Sequence, residues 1–502
     1  MEPHLVDRHS SHSDALSGVD GLDDILGGGF ERNRVFLLEG SPGTGKTTLA
    51  LSFLNAGAAN GERVLYVTLS ETEGELRDSA ASHGWDLNGI DIFELVPPEN
   101  LLDERQQQSL LYSSDLELGE TTQAILEAVE AKKPQRVVID SLSEIRLLAQ
   151  SSLRYRRQVL ALKHYFASHG ATVLLLDDLT AEVSDKTVHS VAHGVVRLEE
   201  LAPEYGAERR RCRVVKYRGR RFRGGYHDFT IRTGGLEVYP RLVSAEHRSE
   251  FDRLSLSTGI KGLDALLGGG LEGGTSCLIL GPAGTGKSLL SLYFALATIK
   301  RGARAALFLF DEEKALLIQR ARGLGLHIDT LLDDGRLILD QIDAAELSPG
   351  EFTAKVRNCV AVSGARAVVI DSLNGYQAAM PQEHFLLLHM HELLQYLNRL
   401  GASTFLTVAQ HGLVGDMKSP VDVTYLADTV VPLRYFEASG QVRRAISVIK
   451  KRSGAHEKTI REYEINAEGL RVGPALEGFQ GVLRGIPNFV GQSPGVMGEP
   501  SA

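Results

Sequence analysis

The sequence predicts an α/β protein of two tandem domains, each a mainly parallel sheet flanked by helices. A long internal repeat is the first observation that predicts it. Residues 17–30 (SGVDGLDDILGGGF) match residues 258–271 (TGIKGLDALLGGGL) at a displacement of 258 − 17 = 241 residues. The second observation is that short β-branched and leucine runs alternate with segments rich in Ala, Leu, Glu and Arg. Such alternation is typical of parallel strands covered by helices on both faces.

The repeat continues downstream of these openings. A run RVVIDSL places Asp140 at the end of an apolar strand, and AVVIDSL does the same for Asp371. Next come ATVLLLDD around Leu175 and STFLTVAQ around Thr407. The same succession of strands in both halves predicts the same topology for each domain.

Length and composition set the domain boundaries that we expect. A chain of 502 residues can bury at least two separate cores. We expect a flexible tail over residues 1–14, a first domain over 15–243, a polar linker over 244–256, a second domain over 257–483 and a short flexible tail over 484–502.

Charge and cysteine content narrow the class of protein. The net charge of −10 gives no overall attraction to nucleic acid or anionic membranes, so neither is expected as a partner. Cys212, Cys277 and Cys359 lie far apart, without the spacing of a disulfide framework or a zinc site. No apolar run approaches the roughly 20 residues that span a bilayer. These features predict a cytoplasmic protein.

Each repeat carries a glycine-rich loop between an apolar strand and an apolar helix. The loops read GSPGTGKT from Gly40 and GPAGTGKS from Gly281. This P-loop pattern turns consecutive backbone N–H groups toward phosphate oxygens at the positive end of a helix, and its Lys reaches the β- and γ-phosphates. The predicted ATP-binding residues are Gly40, Ser41, Gly43, Thr44, Gly45, Lys46, Thr47 and Thr48 in the first loop, and Gly281, Ala283, Gly284, Thr285, Gly286, Lys287, Ser288 and Leu289 in the second.

Four oxygen-bearing side chains are predicted to hold Mg²⁺. Thr47 and Ser288 follow the P-loop lysines and would each supply a hydroxyl. Asp140 and Asp371 end apolar strands, where a carboxylate can hold the magnesium shell. An Asp in such a place is often a turn residue or a helix cap, but its repetition after each P-loop favours the metal role.

Acidic residues after the second strand of each repeat are candidates for activating the attacking oxygen. They are Glu71 in VTLSET, and Asp311 with Glu312 in FLFDEEK. The alternative is that they stabilise the N-termini of surface helices, where acidic residues are common.

A Lys-x-Arg motif lies late in each repeat. Lys216 and Arg218 occur in VVKYRGR, and Lys450 and Arg452 occur in VIKKRSG. These cations are predicted to complete the ATP site of a neighbouring subunit, as an arginine finger does. The alternative is an edge strand protected by its charge.

The motifs in this order resemble those of the KaiC-like family of double-domain RecA-type ATPases. The resemblance covers about residues 17–483, and its most specific stretches include the C-terminal run DTVVPLRYFE…RRAISVIKKRSGAHEKTIREYEI. It implies two RecA-like P-loop NTPase domains, and a double-ring homohexamer with ATP between subunits. It also implies slow ATP hydrolysis in the N-terminal ring and serine/threonine autokinase activity in the C-terminal ring, with clock or signalling proteins as possible partners.

The resemblance places the family's phosphorylated hydroxyl pair on Thr424 and Tyr425. Tyr stands where the family has Ser or Thr, which favours Thr424 as the acceptor. Two adjacent glutamates of the family are replaced by Ser70-Glu71 in the first repeat and by Asp311-Glu312 in the second.

Two other functions remain open from the sequence. One is a RecA-type DNA-dependent ATPase of recombination or repair, which the basic run RRRCRVVKYRGRRFRGG over residues 209–225 supports. The other is a nucleotide-gated scaffold with little turnover, which Ser70 makes plausible for the first repeat.

Overall fold

A computed structural model of the chain describes residues 14–95, 110–179, 187–202, 206–247, 249–379, 383–410, 423–438, 440–484 and 488–489. The chain divides into two compact units, with the boundary between Arg241 and Leu242. Each unit has one large, mainly parallel sheet flanked by helices, so the predicted fold class is confirmed. Within the described part of the chain, no helix combines the length and apolar character that crossing a bilayer requires.

The first unit is built around one sheet. Its strands are β1 (Val35–Glu39), β2 (Val64–Thr68), β3 (Asp91–Glu94), β4 (Arg136–Asp140), β5 (Thr172–Asp177), β6 (Gly194–Leu201), β7 (Arg209–Tyr217), β8 (His227–Arg232) and β9 (Gly235–Tyr239). Its helices are α1 (Asp20–Leu26), α2 (Lys46–Ala59), α3 (Glu73–Ser82), α4 (Leu110–Lys132), α5 (Leu142–Ala149), α6 (Ser152–Ser168) and α7 (Thr187–Val191). Among the described residues the strand order is β3-β2-β4-β5-β1-β6-β7-β8-β9, parallel as far as β6 and antiparallel beyond it.

Helices cover both faces of this sheet because its central strands are apolar on both faces. All residues of β1, β2 and β4 are buried. Since successive side chains of a strand point to opposite faces, Phe36 and Leu38 join one core with residues of α1, α2 and α3, whereas Val35 and Leu37 join a second core with residues of α4, α5 and α6. Because β1, β2, β4 and β5 are parallel, their carboxyl ends meet at one edge of the sheet, where side chains from four strands come together.

The second unit repeats this plan. Its strands are β10 (Ser255–Leu256), β11 (Leu271–Glu272), β12 (Ser276–Gly281), β13 (Arg304–Leu309), β14 (Leu337–Gln341), β15 (Ala365–Asp371), β16 (Ser403–Ala409), β17 (Thr429–Ala438), β18 (Gln441–Ser447), β19 (Lys450–Lys451), β20 (Ile460–Asn466), β21 (Gly469–Ala475), β22 (Phe479–Gln480) and β23 (Asn488–Phe489). Its helices are α8 (Lys261–Leu266), α9 (Lys287–Lys300), α10 (Lys314–Gly323), α11 (Asp329–Asp333), α12 (Pro349–Ala361), α13 (Leu373–Ala379) and α14 (Glu383–Arg399). In the described residues the main sheet runs β14-β13-β15-β16-β12-β17-β18-β20-β21, with β19 paired to β17.

The register of the strands makes the two units directly comparable. In the first unit, β1 lies between β5 and β6, and β4 lies between β2 and β5. In the second unit, β12 lies between β16 and β17, and β15 lies between β13 and β16. The two P-loops, which follow β1 and β12, therefore occupy the same place in each sheet.

The first residues of the segment 244–256 belong to the second unit. Ser244–Glu246 forms one turn of 3₁₀ helix. The Ser244 backbone N–H donates to the Glu392 carboxylate at 3.0 Å, and the Arg399 guanidinium donates to the Ser244 carbonyl at 2.6 Å. The start of the segment 244–256, which the sequence predicts to be a linker, is thus fastened to α14.

Candidate nucleotide-binding sites

The first P-loop is closed by its own lysine. The loop leaves β1 after Glu39, and Gly43 and Gly45 adopt φ values of 84° and 92°, which favour glycine. Lys46 is the first residue of α2, and its ammonium donates to the carbonyls of Gly40 at 2.9 Å and Ser41 at 3.0 Å. A Cβ atom at Gly45 would also lie 2.6 Å from the Ile231 Cδ1, so the end of the Ile231 side chain would have to move to accept a side chain there. The loop can therefore hold its backbone N–H groups in a fixed concavity.

The second P-loop has the same geometry. Lys287 begins α9, and its ammonium donates to the carbonyls of Gly281 at 3.0 Å and Pro282 at 2.8 Å. Burial lowers the pKa of Lys287, and the nearby carboxylates of Asp371 and Asp311 oppose that shift. A cation held in this way is available to a polyphosphate, whose charge would restore the ordinary pKa. The remaining predicted ATP-binding residues lie in the two loops and in the first turns of α2 and α9.

The two predicted metal-shell carboxylates end β4 and β15. Asp140 is buried and accepts hydrogen bonds from the Tyr66 hydroxyl at 2.5 Å and the Thr47 hydroxyl at 3.4 Å. Burial raises the pKa of Asp140, and the bond from Tyr66 opposes this rise. Asp371 is also buried, and it accepts a hydrogen bond from the Thr407 hydroxyl. Each Asp is therefore oriented by a hydroxyl from a neighbouring strand, β2 in the first unit and β16 in the second.

These oxygen ligands fit Mg²⁺. In the described ranges no group of three or more His, Cys, Asp or Glu side chains is placed to hold a metal ion. Mg²⁺ usually binds one or two carboxylates together with substrate phosphates and water. The Thr47 hydroxyl beside Asp140 is a donor set of that kind.

The predicted catalytic carboxylates differ in their surroundings. Glu71 lies three residues after the end of β2, where its backbone N–H donates to the Thr68 hydroxyl at 3.0 Å. Burial and the charge of Asp140 raise the pKa of Glu71, as suits a group that takes up a proton. Asp311 accepts a hydrogen bond from the Ser372 hydroxyl, next to Asp371.

Glu312 is not drawn into the same cluster. Its carboxylate pairs with Arg320 of α10 at 2.8 Å. In the second repeat the carboxylate that the structure brings to the P-loop side is thus Asp311.

In the first repeat the Lys-x-Arg motif binds the backbone that precedes β6. The Lys216 ammonium donates to the carbonyls of His189 and Ala192, and the Arg218 guanidinium donates to the Ser190 carbonyl. Burial and the charge of Arg218 lower the pKa of Lys216. The motif therefore holds the end of α7.

In the second repeat the equivalent motif binds the candidate phosphorylation segment. The Lys450 ammonium donates to the Thr424 carbonyl and the Arg452 guanidinium to the Tyr425 carbonyl, both at 2.8 Å. Tyr425 and Ser190 each lie four residues before the next strand, since 429 − 425 = 194 − 190 = 4. The same contact is therefore built twice, and Thr424 and Tyr425 occupy the places of His189 and Ser190.

Comparison with known proteins decides the family. A model of the KaiC ATPase family matches residues 15–243 and 256–477, which is most of the chain. The chain belongs to the KaiC family of ATPases. Three KaiC relatives show how far the likeness extends. The circadian clock protein KaiC3 of Synechocystis sp. is 25% identical over 501 residues, covering 97% of each chain.

Two further relatives agree. The circadian clock oscillator protein KaiC of Acaryochloris marina is 27% identical, over 95% of this chain and 91% of the relative. The circadian clock protein KaiC2 of Synechocystis sp. is 28% identical, over 93% of this chain and 83% of the relative. The likeness to these KaiC proteins thus extends through both repeats.

Within this KaiC-type fold, Asp178 of the first site was not predicted from the sequence, and neither was Tyr66, which orients Asp140. The Asp178 carboxylate forms an ion pair with the Lys46 ammonium at 2.9 Å. It also accepts hydrogen bonds from the hydroxyls of Ser141 at 3.2 Å and Ser143 at 3.3 Å. The signal was present in LLLDD, where two acidic residues end the strand, against TVAQ at the same place in the second repeat.

Proposed function

We propose that the chain hydrolyses Mg-ATP in both repeats and that its second repeat also transfers the γ-phosphate of ATP to Thr424. The observation that carries the proposal is the duplicated site. In each repeat, a lysine folded over the P-loop carbonyls lies with a buried, hydroxyl-oriented Asp at the same sheet edge.

The residues of each site have separate tasks in this reaction. The P-loop N–H groups and Lys46 or Lys287 would bind the β- and γ-phosphates. Thr47 with Asp140, or Ser288 with Asp371, would hold Mg²⁺, which neutralises phosphate charge when bound. A carboxylate beside the γ-phosphate would orient the attacking oxygen and accept its proton, while ADP leaves.

We propose that identical chains assemble into a ring, a homohexamer as in the family, with ATP between subunits. A closed ring supplies a neighbour's cations to every site. The Lys-x-Arg pairs are charged groups at the start of the antiparallel part of each sheet. They donate to backbone carbonyls, and Arg452 also forms an ion pair with Asp428 at 3.5 Å. On binding a neighbour's γ-phosphate, Lys450 and Arg452 would connect that ATP directly to the Thr424 segment.

Thr424 is the better phosphate acceptor of the pair. Thr424 carries the aliphatic hydroxyl that the family uses at this pair, whereas Tyr425 has a phenol where the family has Ser or Thr; Thr424 is half-buried in the turn before β17 and Tyr425 is exposed. A phosphoryl group on Thr424 would lie beside Lys450 and Arg452, whose charges would stabilise it. The names of the relatives, which describe circadian clock proteins, support a role in circadian timing. We further propose a related signalling role, clock or signalling proteins as partners, and a cytoplasmic location.

Mass spectrometry after incubation with Mg-ATP tests the kinase activity. We expect phosphate on Thr424, its loss in Lys287→Ala, and its retention in Lys46→Ala. Thr424→Ala and Tyr425→Phe separate the two acceptors, because only the first should abolish the modification. Turnover without any phosphate on the chain would remove the kinase part of the proposal.

Molar mass in solution tests assembly. Light scattering with and without Mg-ATP should show a ring of identical subunits that the nucleotide stabilises. Arg452→Ala in one repeat and Arg218→Ala in the other should lower ATP turnover in that repeat. A monomer that hydrolyses ATP at an undiminished rate would contradict the role of the neighbour's cations.

A DNA-dependent ATPase is not favoured. Three arginines of the basic run that supports this alternative, Arg220 among them, pair with acidic residues in the structure. Arg210 pairs with Glu200 and Glu208, and Arg211 pairs with Glu199 at 2.8 Å. Such pairs reduce the free positive charge that phosphate backbones need.

A further inference from the structure

In both repeats, a serine hydroxyl donates to a carboxylate near the P-loop. In the first repeat that carboxylate follows the strand on one side of the serine's own strand, and in the second repeat it follows the strand on the other side. Ser141 follows the metal-shell Asp of β4, and its hydroxyl donates to Asp178, which follows β5. Ser372 follows the metal-shell Asp of β15, and its hydroxyl donates to Asp311, which lies beyond β13. Because β4 lies between β2 and β5, either flank can deliver a carboxylate to this point.

The two repeats are complementary at the two positions concerned. Strand pairing sets Thr68 opposite Asp140 and Leu309 opposite Asp371, so Ser70 corresponds to Asp311. The pairing of β1 with β5 sets Glu39 opposite Asp177, and the pairing of β12 with β16 sets Leu280 opposite Val408. Asp178 therefore corresponds to Ala409. The first repeat thus lacks a carboxylate where the second has one, and has one where the second lacks it.

Asp178 lies where the γ-phosphate would bind. One of its oxygens is 2.9 Å from the Lys46 ammonium, the group expected to contact the β- and γ-phosphates. Its other oxygen is fixed by Ser141 and Ser143. The side chain is 30% exposed, so water can reach it. ATP would draw Lys46 onto its phosphates and leave the first oxygen free to accept a hydrogen bond from water.

We infer that Asp178 is the catalytic carboxylate that orients and deprotonates the attacking water in the first repeat. The inference rests on the proposed ATP hydrolysis. The water oxygen forms a bond to the γ-phosphorus, and the bond from that phosphorus to the β,γ-bridging oxygen breaks. ADP leaves with the electron pair, and the water proton passes to Asp178 and then to phosphate.

Asp178→Asn tests this role in a Lys287→Ala background, where phosphate release reports the first repeat alone. We expect kcat to fall about a hundredfold or more, the usual effect of losing a general base. Affinity for a fluorescent ATP analogue, measured without turnover, should hold or rise a few-fold, because Lys46 loses a competing anion. A kcat within about threefold of the background would overturn the inference. So would equal losses of kcat and affinity, which indicate a structural role.

Moving the carboxylate provides the second test. Asp178→Ala should inactivate the first repeat, and adding Ser70→Asp should restore roughly tenfold or more of kcat by placing the carboxylate as Asp311 is placed. No recovery, together with full inactivation by Glu71→Gln and normal turnover in Asp178→Asn, would assign the role to Glu71. If the Lys287→Ala background binds ATP but releases no phosphate, first-repeat hydrolysis itself is refuted; the inference alone fails only when that background turns over.

Discussion

Removal of one buried hydroxyl should weaken metal use in the first repeat alone. Tyr66→Phe deletes the donor that contacts Asp140 at 2.5 Å and keeps the ring, which is fully buried in the core. Burial and the charge of Asp140 raise the pKa of Tyr66 well above its ordinary value, so the hydroxyl remains a donor at any physiological pH. The substitution therefore tests the orientation of the carboxylate without opening a cavity.

The size of the effect follows from the contacts of Asp140. Its second side-chain donor is Thr47, at a long 3.4 Å. A hydrogen bond to a charged group contributes about 1.5–3 kcal/mol. Loss of such a partner behind a metal ligand typically lowers metal affinity about 10- to 100-fold. The two magnitudes agree, since about 1.4 kcal/mol corresponds to a tenfold change.

The assay is phosphate release as a function of Mg²⁺ concentration in the Lys287→Ala background. The half-maximal Mg²⁺ concentration should rise about 10- to 100-fold in Tyr66→Phe. The defect should deepen as pH falls, because the lost bond opposes the rise in the pKa of Asp140. Thr407→Val is the matched variant, and it should have the same effect on the second repeat in a Lys46→Ala background.

An unchanged Mg²⁺ requirement in Tyr66→Phe would refute this reasoning. Asp140 would then not act on the metal, or Tyr66 would not orient it. An equal effect of Tyr66→Phe on both repeats would also contradict it, since the contact is confined to the first unit. Thermal unfolding separates either result from a folding defect.

Two further predictions concern stability and its pH dependence. Glu62→Gln should destabilise the first unit by about 2 kcal/mol in urea titrations, against little change for the exposed Glu73→Gln. Burial alone would raise the pKa of Glu62, but hydrogen bonds from the buried Arg136 and from Arg32 lower it to about 2. The stability that Glu62 contributes is therefore present above about pH 4.5 and is lost as the pH falls toward 2. Burial lowers the pKa of His389 to about 4, so the unfolded chain binds the proton first, and the second unit should lose roughly 3 kcal/mol as pH falls from 6.5 to 4. Hydrogen exchange of α14 measures this loss, and His389→Gln should abolish it.

The fold and both P-loops could be predicted because they depend on local sequence. The pattern from Gly40 to Thr47 fixes a strand, a loop and a helix start within a few residues, and its repetition at Gly281 fixes the second unit. The sequence predicts parallel strands covered by helices on both faces, but it does not say which strands are neighbours. The order of β2, β4 and β5 is known only once the strands are paired in the structure. Side-chain contacts between residues of different strands therefore could not be predicted from sequence patterns.

Asp178 and Tyr66 illustrate that limit. Neither belongs to a spaced motif, and each acts on a residue of another strand or helix, Lys46 and Asp140 respectively. The Lys-x-Arg contacts are similar, because the cations were found in the sequence but the carbonyls that they bind lie 26 and 27 residues away. Packing of the sheet, rather than spacing along the chain, creates these pairs.

The two repeats preserve the placement of chemical groups more strictly than the positions that supply them. The predicted metal-shell Asp receives its hydroxyl from Tyr66 on one flank in the first unit and from Thr407 on the other flank in the second. The serine after that Asp receives its carboxylate from the opposite flank in each case, Asp178 or Asp311. A strand between two parallel neighbours can take either group from either side, because both neighbours end at the same edge. A substitution such as Ser70 therefore does not by itself predict an inactive site: the neighbouring strand must be considered as well.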